Sequence, residues 1–316
     1  MAYQNIPVAS GYQVVQQIAS FAATVGWTVH RSEPRPADTT YYVTTISNGL
    51  GAYLTLIGNN SEIFLNGHRG LDVGLDWDQQ PDQYVNDATT QTTDATRCQC
   101  RLRVTPITSV FMFGGGGANP YLYCAIEVEP GYYRHICMTY LKKFGTSLGG
   151  LAYDISESAN YGAYVSYSQY VHTPFVYNSI GSYGDNNRGG FDAQDAAGLP
   201  AWVTFGGGPD ARPSGGHWGD EVYTFMVASP IRFNSRTPLM VPLISVSSGG
   251  YKPYGVPVNI RHVNIEFFTA GDEITVGSDV WKVFPIIRKL NSGSQYPNSS
   301  PSVEQSKNYG IAYLKD

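Results

Sequence analysis

The C-terminal end of the chain, from Gly271 to Asp316, constrains the fold more than any other segment. Two runs rich in β-branched and aromatic residues, Glu273–Val276 and Val280–Ile287, flank a Gly-Ser-Asp turn, a pattern typical of a β-hairpin. A polar stretch from Asn291 to Lys307 then separates them from the final run Tyr309–Leu314. A closing strand that returns after such an insertion has to be held by a sheet that the rest of the chain has already formed.

One helix is predicted near the N-terminus. Ser10 and Gln13 form a capping-box pattern, in which the hydroxyl group accepts a hydrogen bond from the amide three residues later. Apolar residues then recur at helical spacing, at Val14, Ile18, Phe21 and Val25. Gly26 can end this helix in the left-handed conformation.

Beyond the helix the pattern changes to β-strands. The strand candidates alternate or are β-branched, and they are Tyr41–Ile46, Ala52–Ile57, Glu62–Leu65, Cys98–Val104, Ile107–Phe113, Tyr121–Glu127, Tyr132–Tyr140, Ala163–Val171, Trp202–Phe205, Val222–Val227, Leu239–Val246 and Val258–Phe268. We therefore predict a mainly β fold, an antiparallel sandwich or layered sheets, with one N-terminal amphipathic helix and long Gly/Tyr-rich loops.

Three regions follow from this pattern. Residues 1–147 hold the helix and a β core, and residues 220–316 hold C-terminal strands that complete this core. Residues 148–219 are dominated by Gly, Tyr, Ser, Asn and Asp. This middle region has too few aliphatic residues for a core of its own but too many aromatic ones for plain disorder, so we predict an inserted arm or loop layer.

Composition favours assembly. Charged residues make up only 14% of the 316 residues, against roughly 25% in ordinary soluble domains, whereas Tyr (24) and Gly (35) are abundant. Tyrosine offers a large contact area together with a hydroxyl group that tolerates water. A chain with this surface chemistry is expected to be covered by neighbouring subunits.

Charge and hydropathy limit the partners. The formal net charge of −5 gives no reason to expect nucleic acid, which requires clustered Lys and Arg. No apolar run approaches the roughly 20 residues that span a bilayer, and the first residues lack the pattern of a signal peptide. We therefore expect no membrane insertion and folding in a cytoplasm, where the four cysteines stay reduced.

Several groups resemble sites only in part. Asp72, Asp76, Asp78 and Asp82 surround Trp77, but their spacing does not match an EF-hand, and we interpret the segment from Gly70 to Thr96 as an acidic surface loop. If that loop faces a partner, its charges would fix the register of the contact. Cys98 and Cys100 fall on one side of a strand without the tight Cys-x2-Cys turn that zinc prefers, so we predict no metal.

The candidate catalytic patterns are equally incomplete. His135 has no adjacent acid or nucleophile, which favours a hydrogen-bonded sheet residue. The Gly-x-Ser-x-Gly pattern around Ser147 lacks the helix that a nucleophile elbow requires. The run Gly114–Gly117 is followed by neither the Lys-Ser/Thr pair nor the helix of a phosphate loop. We predict no catalytic residue and no cofactor.

The most site-like string is Gly215-Gly-His-Trp-Gly-Asp220. Trp218 can act as an aromatic anchor at a subunit interface or can stack on a sugar ring, and we favour the anchor because no second carboxylate is suited to catalysis. The predicted interface residues are Trp218, His217, Tyr161, Tyr164, Tyr167, Tyr170 and Trp77.

Two stretches carry a family resemblance. GDEITVGSDVWKVFPIIRK, followed by a polar stretch and GIAYLKD, resembles the ends of virion structural proteins of tailed bacteriophages, particularly tail and baseplate components. EPGYYRHICMTYLKKFGTSLGGLAY is similar to a framework strand and glycine turn of the same proteins. The resemblance implies a virion protein that forms a three-, six- or twelvefold ring with copies of itself and with neighbouring tail, baseplate or neck proteins. The alternative is a carbohydrate-binding or carbohydrate-cleaving β protein at a receptor-binding tip.

Overall fold

The structure, a computed structural model, describes residues 1–83, 100–146, 149–156, 175, 190–194, 200–204, 240–242, 245–246, 253–265, 267–285 and 309–316. Within these residues it contains one α-helix and strands β1 to β20, which form four sheets with antiparallel pairing throughout. The predicted mainly β class with a single N-terminal helix is confirmed.

The helix α1 (Gly11–Thr24) has the predicted caps. Ser10 Oγ accepts a hydrogen bond from Gln13 N–H at 3.2 Å, and Gln13 Oε1 accepts one from Ala9 N–H at 2.7 Å. Gly26, with φ of +86°, turns the chain out of the helix. The buried side of α1 carries Val14, Val15, Ile18, Phe21 and Ala22.

The helix packs on a five-stranded sheet, here called the helix-side sheet. Its order is β2-β3-β4-β5-β6, with bounds β2 Thr28–Pro34, β3 Tyr42–Ser47, β4 Tyr53–Gly58, β5 Glu62–His68 and β6 Cys100–Arg103. The start of α1 is fixed to the β4–β5 turn, since Tyr12 N–H donates to Asn59 O at 2.7 Å.

A seven-stranded sheet, the central sheet, lies on the other side of α1. Its order is β1-β7-β8-β9-β11-β12-β13, with bounds β1 Ala2–Pro7, β7 Ser109–Gly115, β8 Tyr121–Glu129, β9 Tyr132–Tyr140, β11 Leu151–Ser156, β12 Gly190–Gln194 and β13 Pro200–Thr204. Alternate residues of this sheet join α1 and the helix-side sheet in one aliphatic core that includes Ile18, Leu54, Val110, Cys124 and Ile136.

The opposite face of the central sheet meets a second five-stranded sheet, the C-terminal sheet. Its order is β14-β17-β20-β19-β18, with bounds β14 Met240–Pro242, β17 Ile260–Asn264, β18 Glu273–Val276, β19 Asp279–Pro285 and β20 Tyr309–Leu314. The predicted hairpin and closing strand are confirmed, and β20 takes a central position between β17 and β19. A small sheet contains β10 (Lys142–Lys143), β16 (Pro253–Val256) and β15 (Ser245–Val246).

Aromatic side chains fill the space between the central and C-terminal sheets. The ring of Tyr313 stacks on Phe113 and Tyr123, with centroids 5.0 and 5.4 Å apart, and Phe284 lies 5.1 Å from Phe111. Such offset and tilted pairs add stabilisation beyond the area they bury. Some of the chain's many tyrosines therefore pack in its own core rather than on a surface that contacts a partner.

The core continues past the predicted boundary at residue 148. Strand β11 pairs with β9, and its Leu151, Tyr153 and Ile155 are buried in the aliphatic core. Strands β12 and β13 extend the same sheet, and β13 coincides with the strand predicted at Trp202. The strands predicted at 163–171 and 222–227, and the polar insertion at 291–307, lie outside the described residues.

Replacement of Gly58 by Ala tests the closest approach between helix and sheet. A Cβ at this position would lie 2.4 Å from Gly11 O and 2.8 Å from Val15 Cγ2, so the start of α1 would have to move. We expect Gly58→Ala to lower the free energy of unfolding by about 2 kcal/mol, measured by urea denaturation. The control is Gly145→Ala, whose Cβ meets no atom within 4 Å. Equal unfolding midpoints for the two variants would contradict this packing.

Candidate functional site

All but one of the predicted interface residues lie outside the described residues: Trp218, His217, Tyr161, Tyr164, Tyr167 and Tyr170. The exception, Trp77, is only 8% exposed. Its ring lies 5.8 Å from that of Phe64, and it packs with Val43 and Ile57 on the outer face of the helix-side sheet. This indole is thus largely covered within a single copy, and the interface as a whole stays a prediction.

The acidic segment around Trp77 is a loop closed by its own hydrogen bonds. Gly70 N–H donates to Pro81 O at 3.1 Å, which joins the two ends. The amide of Gln80 donates to the carbonyl oxygens of Asp72 and Leu75 and accepts from Asp72 N–H at 2.9 Å. Because one buried side chain satisfies several backbone groups, the conformation of this loop is fixed.

The carboxylates of this loop do not converge on one point. Arg35 donates from Nε to both carboxylate oxygens of Asp76 at 3.1 Å. Burial acts to raise the pKa of Asp76, but the hydrogen bonds from Arg35 and from Trp77 N–H outweigh it and lower the pKa. Asp72 accepts instead from Gly74 N–H at 2.8 Å. The described part of the chain contains no group of three His, Cys, Asp or Glu residues suited to a metal ion.

His135 lies in a buried polar centre between the central and C-terminal sheets. Its Nε2 donates to Pro285 O at 3.0 Å, since a carbonyl oxygen only accepts. Its Nδ1 therefore accepts from the Tyr313 hydroxyl at 2.7 Å, and that oxygen lies 3.6 Å from Cys137 Sγ. These bonds fix the neutral tautomer, and burial lowers the pKa of His135 to about 4. This geometry matches the predicted hydrogen-bonded sheet residue.

Two further histidines, His68 and His262, are buried, and they differ in how many hydrogen bonds their ring nitrogens make. His68 donates from Nδ1 to Gly70 O at 2.6 Å and accepts at Nε2 from the Thr55 hydroxyl at 2.8 Å. His262, on β17, is 5% exposed, and neither of its ring nitrogens has a hydrogen-bond partner among the described residues. Burial lowers the pKa of each to about 4. His262 thus combines the desolvation cost of an imidazole with no compensating bond.

The structure describes the side chains of two cysteines, Cys124 and Cys137, and these two lie apart. Cys124 pairs with Ile136 across β8 and β9, whereas Cys137 pairs with Tyr123, so the two thiols lie on opposite faces of the central sheet. Both are free and buried, and burial raises the pKa of each. The predicted buried thiols are confirmed for this pair, whereas Cys98 and the side chain of Cys100 lie outside the part of the chain that the structure describes.

The two glycine patterns lead into strands. Ser147 lies outside the described residues, but β11 begins at Leu151, where a nucleophile elbow needs a helix. The run that starts at Gly114 is followed by β8 rather than by the helix of a phosphate loop. Both patterns are therefore connections between strands, as predicted.

Sequence reasoning missed one buried ion pair. Arg69, at the end of β5, pairs with Asp192 on β12, and their side chains are 16% and 7% exposed. Burial raises the pKa of Asp192, against the opposing effect of Arg69. Asp192 O also accepts from Gly150 N–H at 2.6 Å. The pair spans more than a hundred residues of chain in regions without periodic patterning, so no local signal indicates it.

Comparison of the sequence with protein-family models and with curated proteins gives no match. Among the described residues, no helix is long and apolar enough to cross a bilayer.

Two histidine substitutions test the buried polar centre. His135→Leu leaves the Tyr313 hydroxyl and Pro285 carbonyl without their partner, so we expect the free energy of unfolding at pH 7 to fall by about 2 kcal/mol or more. His262→Leu removes an imidazole that has no partner in the described part of the chain, so we expect that free energy to stay unchanged or to rise by about 1 kcal/mol. Urea denaturation measures the free energy of unfolding of both variants. A lower free energy of unfolding in both would contradict this contrast.

Stability should also depend on pH through these residues. The pKa of each buried imidazole is about 4 in the folded chain and 6.5 when exposed, so between these values the unfolded state binds more protons. For each histidine, the free energy of unfolding is about 3 kcal/mol higher above pH 6.5 than it is below pH 4, and this difference is lost as the pH falls from 6.5 towards 4. His135→Leu and His262→Leu should each reduce this pH dependence, measured from unfolding midpoints at pH 7 and pH 5. If the difference between the unfolding midpoints at pH 7 and pH 5 were the same in the variants as in the wild-type chain, this result would contradict the neutral state of these imidazoles.

Proposed function

We propose that this chain is a structural component of a tailed-phage particle, in the tail, baseplate or neck. It assembles into a ring with copies of itself and contacts neighbouring phage proteins. It folds in the bacterial cytoplasm before it joins the virion, and it has no catalytic role.

The observation that carries this proposal is where the two resembling stretches meet. Strand β9 belongs to the stretch EPGYYRHICMTYLKKFGTSLGGLAY, whereas β19 and β20 belong to the C-terminal stretch. They pack face to face, and the bonds of His135 to Tyr313 and Pro285 join them. The residues that carry the resemblance are therefore framework residues, as expected for a family defined by its architecture rather than by a reaction.

Exposed aromatic side chains support assembly. Phe144 and Phe267 are 59% and 64% exposed in a single copy. Aromatic residues are enriched in subunit interfaces, where charged residues are depleted. Together with the low charge content of the chain, these side chains favour contact with further protein.

The oligomeric state and the location test this proposal directly. Light scattering during size-exclusion chromatography should give a multimer at high protein concentration, and labelled antibodies should decorate phage particles in a ring around the tail axis. A strictly monomeric, protease-resistant chain that is absent from particles would overturn the proposal.

Titration of the chain with glycans tests the alternative function, carbohydrate binding. Sugar binding through Trp218 would give saturable quenching of tryptophan fluorescence, and this quenching would disappear in Trp218→Ala. The matched control is Trp77→Phe, since Trp77 is packed on the chain's own sheet. For an assembly protein we expect no saturable quenching in the wild-type chain.

A further inference from the structure

The chain contains two Asn-Gly pairs, and the structure places them in different surroundings. In such a pair the backbone nitrogen of the glycine can attack the side-chain amide of the asparagine, because the glycine has no Cβ to shield that nitrogen. Asn48-Gly49 lies in the connection between β3 and β4, whereas Asn66-Gly67 lies inside β5. The two pairs therefore carry the same reactive groups and differ in how the fold holds them.

The connection that contains Asn48 and Gly49 is exposed. Strand β3 ends at Ser47 and β4 begins at Tyr53, and the residues from Gly49 to Gly51 between them are exposed. Gly49 has φ of +79°, a conformation that glycine adopts without steric cost, and a Cβ at this position would meet no atom within 4 Å. The nitrogen of Gly49 thus lies outside the strand ladder and beside open space.

The side chain of Asn48 is folded back over the backbone that would attack it. Leu50 N–H donates to Asn48 Oδ1 at 3.1 Å, which closes an Asx turn around the peptide nitrogen of Gly49. This hydrogen bond polarises the amide carbonyl, and it would stabilise the negative charge that develops on Oδ1 during the attack. Asn48 Nδ2, the atom that must leave, is buried but has no hydrogen-bond partner among the described residues to retain it.

The second pair is protected by its strand. Asn66 pairs with Thr55, and Gly67 pairs with Leu54, in the ladder between β5 and β4. The Asn66 side chain is fully buried, and its amide also lacks a hydrogen-bond partner in the described part of the chain, so the backbone is what distinguishes the two pairs. Ring closure at Asn66 requires the extended backbone to rearrange, and this ladder has to open first.

We propose that Asn48 is a site of spontaneous deamidation in the folded chain. The Gly49 nitrogen forms a bond to Asn48 Cγ and gives its proton to the solvent, while the bond from Cγ to Nδ2 breaks and Nδ2 takes up a proton and leaves as ammonia. Water then opens the cyclic imide at either of its two carbonyl groups, which yields aspartate or isoaspartate.

The modification changes the connection between β3 and β4. Either product adds a carboxylate there, and isoaspartate also inserts a methylene group into the main chain between two paired strands. The reaction consumes only water and needs no enzyme, cofactor or oxidant. It goes beyond the proposed assembly role and does not depend on it.

Peptide mapping by mass spectrometry of the full chain, incubated at pH 8, tests this inference. In the folded chain we expect Asn48 to deamidate at least about tenfold faster than Asn66, because only the second site requires local opening of a sheet. In concentrated urea, where neither surrounding persists, we expect comparable rates at the two sites. Isoaspartate, detected with an isoaspartyl methyltransferase, should be among the products, since direct hydrolysis of the amide gives aspartate alone.

Two glycine variants form a matched pair. Gly49 and Gly51 have φ of +79° and +89°, and an added Cβ would meet no atom within 4 Å at either position. Alanine therefore causes similar backbone strain at both positions. We expect Gly49→Ala to slow the deamidation of Asn48 at least about tenfold, because its Cβ shields the attacking nitrogen, whereas Gly51→Ala should leave the rate nearly unchanged.

Several outcomes would overturn the inference. These are no reaction at Asn48 in the folded chain, a reaction at Asn66 that is equally fast or faster, and aspartate without isoaspartate at Asn48. A rate difference between the two sites that persists in urea would assign the reactivity to the neighbouring sequence rather than to the fold. Equal slowing by Gly49→Ala and Gly51→Ala would show that the Gly49 nitrogen is not the attacking group.

Discussion

The packing of β20 against the central sheet is the interaction on which the rest of the structure depends. This strand arrives last along the chain, yet it occupies the middle of the C-terminal sheet and places Tyr313 on Phe113 and Tyr123. Without it, β17 and β19 would each lose a partner strand and the aromatic core would lose one wall. A sheet completed by its last strand cannot form before most of the chain has been made, so its folding depends on long-range contacts.

The polar groups in this packing have different roles. Tyr313, His135 and Pro285 form a directed chain of hydrogen bonds, in which each donor has one acceptor, and such a chain specifies how two sheets align. His262 lies on the same C-terminal sheet and is also buried, but none of the residues that the structure describes is its hydrogen-bond partner, so it costs stability without specifying alignment. Burial alone thus does not reveal what a histidine contributes.

The sequence predicted those features that depend on local patterns. The cap at Ser10, the C-terminal hairpin and most of the strands follow from spacing and turn chemistry within a few residues. The Arg69–Asp192 pair and the burial of Trp77 could not be predicted, since both depend on which distant segments meet. The core also extends past the predicted boundary at residue 148, because β11 is stabilised by pairing with β9 rather than by its own composition. The predicted interface at Trp218 and its neighbouring tyrosines lies outside the described residues.

The edges of the sheets relate this architecture to the proposed assembly. A four-sheet protein has several exposed strand edges, and each one is a potential site of unwanted association. Bulges, charges and short strands protect β2 and β18, and these devices cost stability within a single copy. Strand β1 lacks all of these devices along its six residues.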